Sequence, residues 1–521
     1  MAPADTTGDP PRRHGRLLAA GAVTGFVGMV VVVAGASQPG SPFTSKLPGS
    51  WYFGVPSSPA QGGSGVVAAT VGVVAVYAGV AAVLVAWYCV ALACRVGPPV
   101  PVRRLAGVLV AWSVPLLVGP PLFSRDVYAY AAEGQLVSRG LDPYAHSPAA
   151  LGRSPFLPLV DPRWQHTHTP YGPGFFDLAR LDVALAGHRV LATVVGFRVA
   201  ALVGVVLVAV SVPVIARSFG RDPAEAFALA VLSPLVLFDL VGGAHNDSLM
   251  LGLLVAGYAL ARRGHPVAGM VLCALGAAVK VPAFIGVVYI GWEWAGPGAG
   301  RWVRARAVAT AVGVGAAVVV AVSLVSGLGW GWVSNLADSG TVVSWLDPAT
   351  ALGLAAAHGA SLVGLGGHTS GLVAAARALS LVAAAVLSLW LLVSSERLGT
   401  PRALGFSLLA VALLGPVVWP WYEVWGLVFL AVVAEGWVRR LVLALTGLAC
   451  LADVPSLSPH HGAEPVAVGA AVVVIAAVAV GIVLRMRRSP TGTGAEPGGG
   501  RRWAGGPSPV GSTGTPPVSR H

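Results

Sequence analysis

The feature that most restricts what this chain can fold into is its alternation of long apolar runs with short arginine clusters. A helix needs roughly 20 apolar residues to cross a bilayer core, and in that medium only helices and closed barrels satisfy their own backbone. Apolar runs lie at about 17–36, 66–93, 105–122, 199–216, 226–242, 248–261, 266–279, 281–295, 305–327, 371–393, 403–418, 423–437, 441–454 and 465–484. The loops joining alternate runs hold Arg95, Arg103 and Arg104; Arg217 and Arg221; Arg262 and Arg263; Arg301, Arg304 and Arg306; Arg397 and Arg402; Arg439 and Arg440; and Arg485, Arg487 and Arg488. Cytoplasmic loops retain Lys and Arg, so the clusters mark one face of the membrane. The expectation is an all-α integral membrane protein, a polytopic helical bundle of about 12–14 spans with both termini in the cytoplasm.

Composition agrees, with 10 % charged and 55 % hydrophobic residues and a mean hydropathy of +0.76. A formal charge of +12 would suit nucleic acid if it formed one basic face. Here it is dispersed between apolar runs, which excludes that partner and leaves membrane lipid. The four cysteines show no metal-ligand spacing. Arg12, Arg13 and Arg16 before the first run permit a signal-peptide reading, but the run is longer than a signal core, and an uncleaved first span fits better. The expected organisation is a cytoplasmic segment 1–16, a membrane domain 17–484, and a Pro/Gly/Ser/Thr-rich disordered tail 485–521. Arg501 and Arg502 of that tail could touch anionic lipid; a solvated linker is the plainer reading.

Lys280 tests the topology. One helix over 266–290 would bury it near mid-membrane, at a cost of at least about 2.5 kcal/mol, and would move the Arg301 cluster to the other face. A hairpin at Lys280-Val281-Pro282 avoids both.

With that hairpin, the outer rim collects Arg125 and Asp126, His245-Asn246-Asp247, Lys280, Trp419 to Glu423, and His460-His461. Two outer segments are long, 123–190 and 328–370, and the first is expected to be structured, with helix-like spacing near 126–139 and 174–187. A carboxylate at the membrane edge beside cations and aromatics suits a reaction on a lipid-borne anion. Each residue also has a plainer reading. Asp126 could be a helix N-terminal carboxylate favoured by the macrodipole. Asn246 or Asp247 could be a helix cap, Lys280 a snorkelling side chain, Arg198 an interfacial anchor, and the Trp419–Trp425 cluster an aromatic belt.

The stretches Ser124-Arg125-Asp126-Val127-Tyr128-Ala129-Tyr130 and Ser138-Arg139-Gly140-Leu141-Asp142-Pro143-Tyr144 are joined in order by Val160-Asp161-Pro162-Arg163-Trp164 and Pro170-Tyr171-Gly172-Pro173. Gly243-Ala244-His245-Asn246-Asp247, Ala278-Val279-Lys280-Val281-Pro282-Ala283 and Pro420-Trp421-Tyr422 follow. Together, over about residues 37–440, they resemble the actinobacterial polyprenol-phosphate-mannose-dependent α-1,6-mannosyltransferases, membrane glycosyltransferases of the GT-C class. Trp419 departs from the non-aromatic residue or His more usual before Pro-Trp-Tyr.

The resemblance implies a catalytic Asp126 in the first large outer loop, a polyprenyl-phosphate mannose donor, and a mannan-type lipid-linked acceptor of the lipomannan and lipoarabinomannan core. It also implies a plasma-membrane location with an extracytoplasmic site. His245, Asn246, Asp247 and Lys280, with Tyr422, would line the donor or acceptor pocket, and Lys280, with Arg125 or Arg198, would neutralise the departing polyprenyl phosphate. Because phosphate is a good leaving group, one base suffices, unlike in a glycosidase. No cofactor or metal is expected, although Asp126 with His245 or Asp247 could hold a divalent ion. Competing expectations are a transporter or flippase of lipid-linked sugars, and the same chemistry on arabinose or glucose; no internal repeat of the transporter kind is evident.

Overall fold

Proline and glycine decide where the helices of this chain begin and break, and the breaks gather the polar residues. The computed structural model describes residues 10–38, 64–336, 347–365 and 367–452, all within one compact unit, Met1–Ile475. The apolar run 465–484, the tail from 485, His460 and His461, and parts of the segments 1–16 and 328–370 lie outside the described residues.

Helices α1 (Pro10–Ala36), α2 (Ser64–Val96) and α3 (Val102–Val118) come first. The first long loop carries α4 (Asp126–Ser138), the single turn α5 (Pro162–Gln165) and α6 (Pro173–Leu185). Then follow α7 (Val190–Ser218), α8 (Pro223–Ala230), α9 (Asp247–Arg262), α10 (Pro266–Val279), α11 (Phe284–Trp294) and α12 (Arg301–Ser326). The second long loop holds α13 (Gly331–Asn335) and α14 (Pro348–Leu362). Helices α15 (Thr369–Val393), α16 (Ser395–Leu398), α17 (Thr400–Leu414), α18 (Glu423–Val432) and α19 (Gly436–Ala452) complete the described chain.

The chain is thus an all-α polytopic membrane protein. Five described helices are long and apolar enough to cross a bilayer alone: His14–Ala36 within α1, Thr70–Val96 within α2, α7, α12 and α15. Shorter apolar helices, among them α10, α11, α17 and α18, fill the spaces between.

One expected span is broken. The run 226–242 is helical only to Ala230, turns at Ser233-Pro234, and resumes as a π-helical turn over Val236–Gly242. Proline drives its predecessor out of the helical region and donates no backbone bond, which explains the break. At the expected hairpin, α10 ends at Val279 and Lys280 is extended, with φ −153° and ψ 127°.

Small residues bring the frame of the rim together. A Cβ on Gly204 of α7 would lie 2.1 Å from the Ser248 carbonyl oxygen, and one on Gly252 of α9 would lie 2.5 Å from that of Gly204. Such contact lets two apolar helices approach backbone to backbone where water offers no driving force. Ser248 Oγ then donates to the Ala201 carbonyl at 2.5 Å, locking the first turn of α9. At the far end of α9, Arg262 meets Glu293 at 3.5 Å, one of several arginine–glutamate pairs that join helix ends there: Arg439 with Glu225, Arg304 with Glu396, and Arg221 with Glu435.

The first long loop is docked against the bundle. Gly172 N donates to the Val279 carbonyl at 3.1 Å, and a Cβ at Gly172 would lie 2.2 Å from Ala278 O, so only glycine fits. The second long loop closes on the first through buried Asn335, whose Nδ2 donates to Tyr144 O at 3.0 Å and Thr169 O at 3.2 Å.

Candidate active site

Four helix ends meet where these breaks occur: the N-termini of α4, α9 and α18 and the C-terminus of α10. Asp126 is the first residue of α4, and Ser124 Oγ accepts its backbone N–H at 3.1 Å. That position meets the macrodipole reading and leaves the side chain free to face the rim. Phe123, just upstream, has φ +63°, and Ala244, just before His245, has φ +54°. Both are non-glycine residues held in the left-handed region, a strain that persists only where packing over-determines it and that clusters at functional sites. Phe123 is held edge-on against Phe238 of the π-helical turn, at 5.6 Å between centroids.

The carboxylate of Asp126 is 14 % exposed and its two oxygens differ. Oδ1 accepts the indole N–H of Trp164 at 3.1 Å. Oδ2 faces His245 Nδ1 at 3.7 Å, too far for a hydrogen bond. The imidazole is buried, and neither ring nitrogen has a partner among the described residues. Burial pushes its pKa below the ordinary value against the pull of Asp126 and Asp247, so the ring is neutral at pH 7. It stacks on Trp421 at 4.2 Å, and Trp421 stacks on Trp419 at 5.0 Å with planes 6° apart. Asn246 Oδ1 accepts from Tyr130 OH at 3.3 Å, while its Nδ2 is buried without a partner among the described residues. Buried polar atoms left unmatched are costly, so these positions call for an ordered water or a ligand hydroxyl.

Lys280 and Asp247 form one buried pair. Lys280 Nζ lies 2.8 and 2.9 Å from the two Asp247 oxygens, and Trp425 Nε1 donates to Oδ1 at 2.8 Å. The ammonium also sits 4.3 Å from the centre of the Tyr422 ring, which stacks on Trp425 at 4.4 Å. Lys280 is therefore not the uncommitted cation that a phosphate clamp calls for; Asp247 already balances its charge. Among the described residues, His, Cys, Asp and Glu form no group of three or more of the kind that holds a metal ion.

Arg125 is half-buried, and its guanidinium makes no ion pair or hydrogen bond among the described residues. Burial works against ionisation of nearby Asp161, yet the clasping Arg163 guanidinium, with Arg125 beyond it, holds that carboxyl below its usual range. Arg198 is buried in α7 and donates from Nη1 to the Leu117 carbonyl at 2.7 Å, joining α7 to the end of α3.

The structure thus brings Asp126, His245, Asn246, Asp247, Lys280, Trp421 and Tyr422 together and adds Trp164, Tyr130 and Glu133. Trp164 and Tyr130 stood inside the sequence motifs with no role attached. Glu133 had a legible signal, an acid seven residues after Asp126, two helical turns on, among apolar neighbours.

Burial pushes the Glu133 carboxyl up to about 8, reinforced by the charge of Asp126 and opposed by a hydrogen bond with Thr169. In the unfolded chain it would titrate near about 4.3. The folded state then holds a proton that the unfolded state has released, so the stability this group contributes is full below about pH 4.3 and is lost as pH rises through about 8. Glu133→Gln, which mimics the neutral acid, should melt at least about 2–4 °C above wild type in detergent at about pH 8.5 and level with it near about pH 4.5. Equal melting temperatures at both values would remove the buried-acid assignment.

Residues 22–296 match the family described as "Alpha-(1->6)-mannopyranosyltransferase, N-terminal domain", and residues 349–486 match "MptB C-terminal domain". The chain is 32 % identical over 436 residues to Alpha-(1->6)-mannopyranosyltransferase A of Mycobacterium tuberculosis, covering 81 % of this chain and 82 % of that protein. It is 31 % identical over 364 residues to a Mycolicibacterium smegmatis protein named "Probable alpha-(1->6)-mannopyranosyltransferase", covering 63 % of this chain and 65 % of the relative. Against Alpha-(1->6)-mannopyranosyltransferase B of Corynebacterium glutamicum the identity is 30 % over 371 residues, 66 % of this chain and 60 % of that one. The match thus spans less than two thirds of the M. smegmatis and C. glutamicum relatives, 65 % and 60 % of their lengths. No solved structure matches it.

Proposed function

This chain belongs to the alpha-(1->6)-mannopyranosyltransferase family, and from that premise we propose that it moves mannose from a polyprenyl-phosphate donor to a growing α-1,6-mannan of the lipomannan type, on the outer face of the plasma membrane. The observation that carries the reading is the pair of unlike oxygens on Asp126, one held by Trp164 and the other facing a neutral, unmatched His245. A base must reach the proton it removes at about 2.6–3.2 Å, and Oδ2, which accepts no hydrogen bond among the described residues, is the Asp126 oxygen left for an acceptor hydroxyl to approach.

In this mechanism Asp126 Oδ2 takes the proton as the acceptor oxygen forms its bond to the anomeric carbon. The bond from that carbon to the phosphate oxygen breaks on the opposite face, so a β-linked donor gives an α product. The departing polyprenyl phosphate carries its own negative charge, which Arg125 stabilises from the N-terminal end of α4. His245 and Asn246 orient sugar hydroxyls. Phosphate leaves without protonation, so neither a second carboxylic acid nor a metal is required of the site.

A lipid-borne donor suits a site formed at the ends of membrane helices, and the arginine pairs at the far end of α9 suit a cytoplasmic face there. The test is purified protein in liposomes with β-mannosyl-phosphoryl polyprenol and an α-1,6-mannobiose acceptor, with and without EDTA. The expected result is an α-1,6-linked trisaccharide at undiminished rate in EDTA. Transfer only from a nucleotide sugar, or solute uptake with no transfer, would overturn the proposal.

A further inference from the structure

We propose that Asp347, in the second long loop, is a positioning residue for the aromatic wall of the active site. The inference rests on the proposed mannosyl transfer for its kinetic readout but not for its structural one.

Asp347 directly precedes Pro348, the first residue of α14, where an aspartate would be expected to cap its own helix by accepting an N–H from the next turn. It makes no such bond. The side chain is instead 1 % exposed, and Oδ1 accepts the backbone N–H of Val418 at 2.8 Å, across 71 residues of chain. Val418 is the residue before Trp419. Between the end of α17 at Leu414 and the 3₁₀ turn Pro420–Tyr422 the chain has no helical bonds of its own, and Pro420 has no N–H to offer. The Asp347 carboxylate therefore supplies an acceptor that this stretch lacks.

What the bond holds matters to the reaction. Trp419 and Trp421 stack in parallel, Trp421 lies flat on His245, and Trp164, the donor to Asp126, meets Trp419 edge-on at 6.2 Å. A shift of Val418 would move both partners of the Asp126 carboxylate, His245 through Trp421 and Trp164 through Trp419. Asn335 of the same loop is bonded to Tyr144 O and Thr169 O in the first long loop, so the second loop grips both walls of the site. Asp347 touches no reacting group; it acts through the tryptophans.

The experiment compares Asp347→Asn, Asp347→Ala and Asp347→Ser with wild type in liposomes and by near-ultraviolet circular dichroism. Trp419→Phe identifies the signal of the Trp419–Trp421 pair. Asn keeps an oxygen acceptor for Val418 and should retain the signal and transfer close to wild type. Ala should lose the signal and lower kcat by about tenfold, the scale of one misplaced contact, with KM changed less. Ser restores a helix cap without reaching Val418, so it should behave as Ala does; a recovery with Ser would assign Asp347 to α14 alone and overturn the proposal. So would an Asn variant as impaired as Ala, or an Ala variant that keeps both signal and rate. If wild type transfers no mannose, the dichroism arm still decides whether Asp347 fixes the tryptophans.

Discussion

Asp126→Asn is expected to lower mannosyl transfer by about 10²–10⁴, the range that a positioned general base contributes. The amide has the shape of the carboxylate and can still accept the Trp164 indole N–H through its oxygen. It cannot take a proton from the acceptor. The loss should therefore fall on kcat, with the KM values for donor and acceptor near wild type, because a contact made only in the transition state leaves ground-state binding alone. The measurement is transfer in liposomes at matched protein, with melting temperature as the control for folding. An Asn variant that transfers at the full rate would remove Asp126 as the base and leave it a helix N-terminal carboxylate.

Lys280→Met should be the most damaging change to the fold of the site. It leaves the Asp247 carboxylate, 0 % exposed, with the Trp425 indole as its remaining hydrogen-bond partner among the described residues. Removing one member of a buried pair costs about 3–5 kcal/mol, because the other charge stays buried and uncompensated. Removing both for apolar side chains of similar volume is often neutral, so Lys280→Met/Asp247→Leu should recover most of the lost melting temperature. Transfer should stay at least about tenfold below wild type in the double variant, since the pair that positions Tyr422 and Trp425 at the opening of α9, beside His245 and Asn246, is gone. Recovery of both stability and transfer would make the pair structural and take Lys280 and Asp247 out of the substrate site.

The membrane architecture was legible in the sequence because it rests on local regularities. Apolar run length predicts helices without knowledge of what packs on them, and the observed limits of α10 and the hairpin at Lys280 agree with the run lengths and Pro282. The run 226–242 misled for the same reason: hydropathy is blind to a break at Ser233-Pro234 inside a wholly apolar stretch. Asp126, His245 and Lys280 stood out as polar residues where apolar ones were expected.

What those residues do to one another depends on contacts between segments far apart in sequence. A lysine without nearby acids reads as a free cation, yet packing of α10 against α9 sets its ammonium on Asp247, and Arg163 rather than Arg125 takes Asp161, which leaves Arg125 without an ion pair among the described residues. Trp164 reaches Asp126 across 38 residues, and Asp347 reaches Val418 across 71. By itself, then, the sequence determined that the chain is a helical membrane protein with its unusual polar residues at helix ends, because burial in lipid is a property of each segment alone. Which of those polar groups remains free to act was decided only by the tertiary structure, because a charge is neutralised by whatever the fold brings within about 4 Å of it.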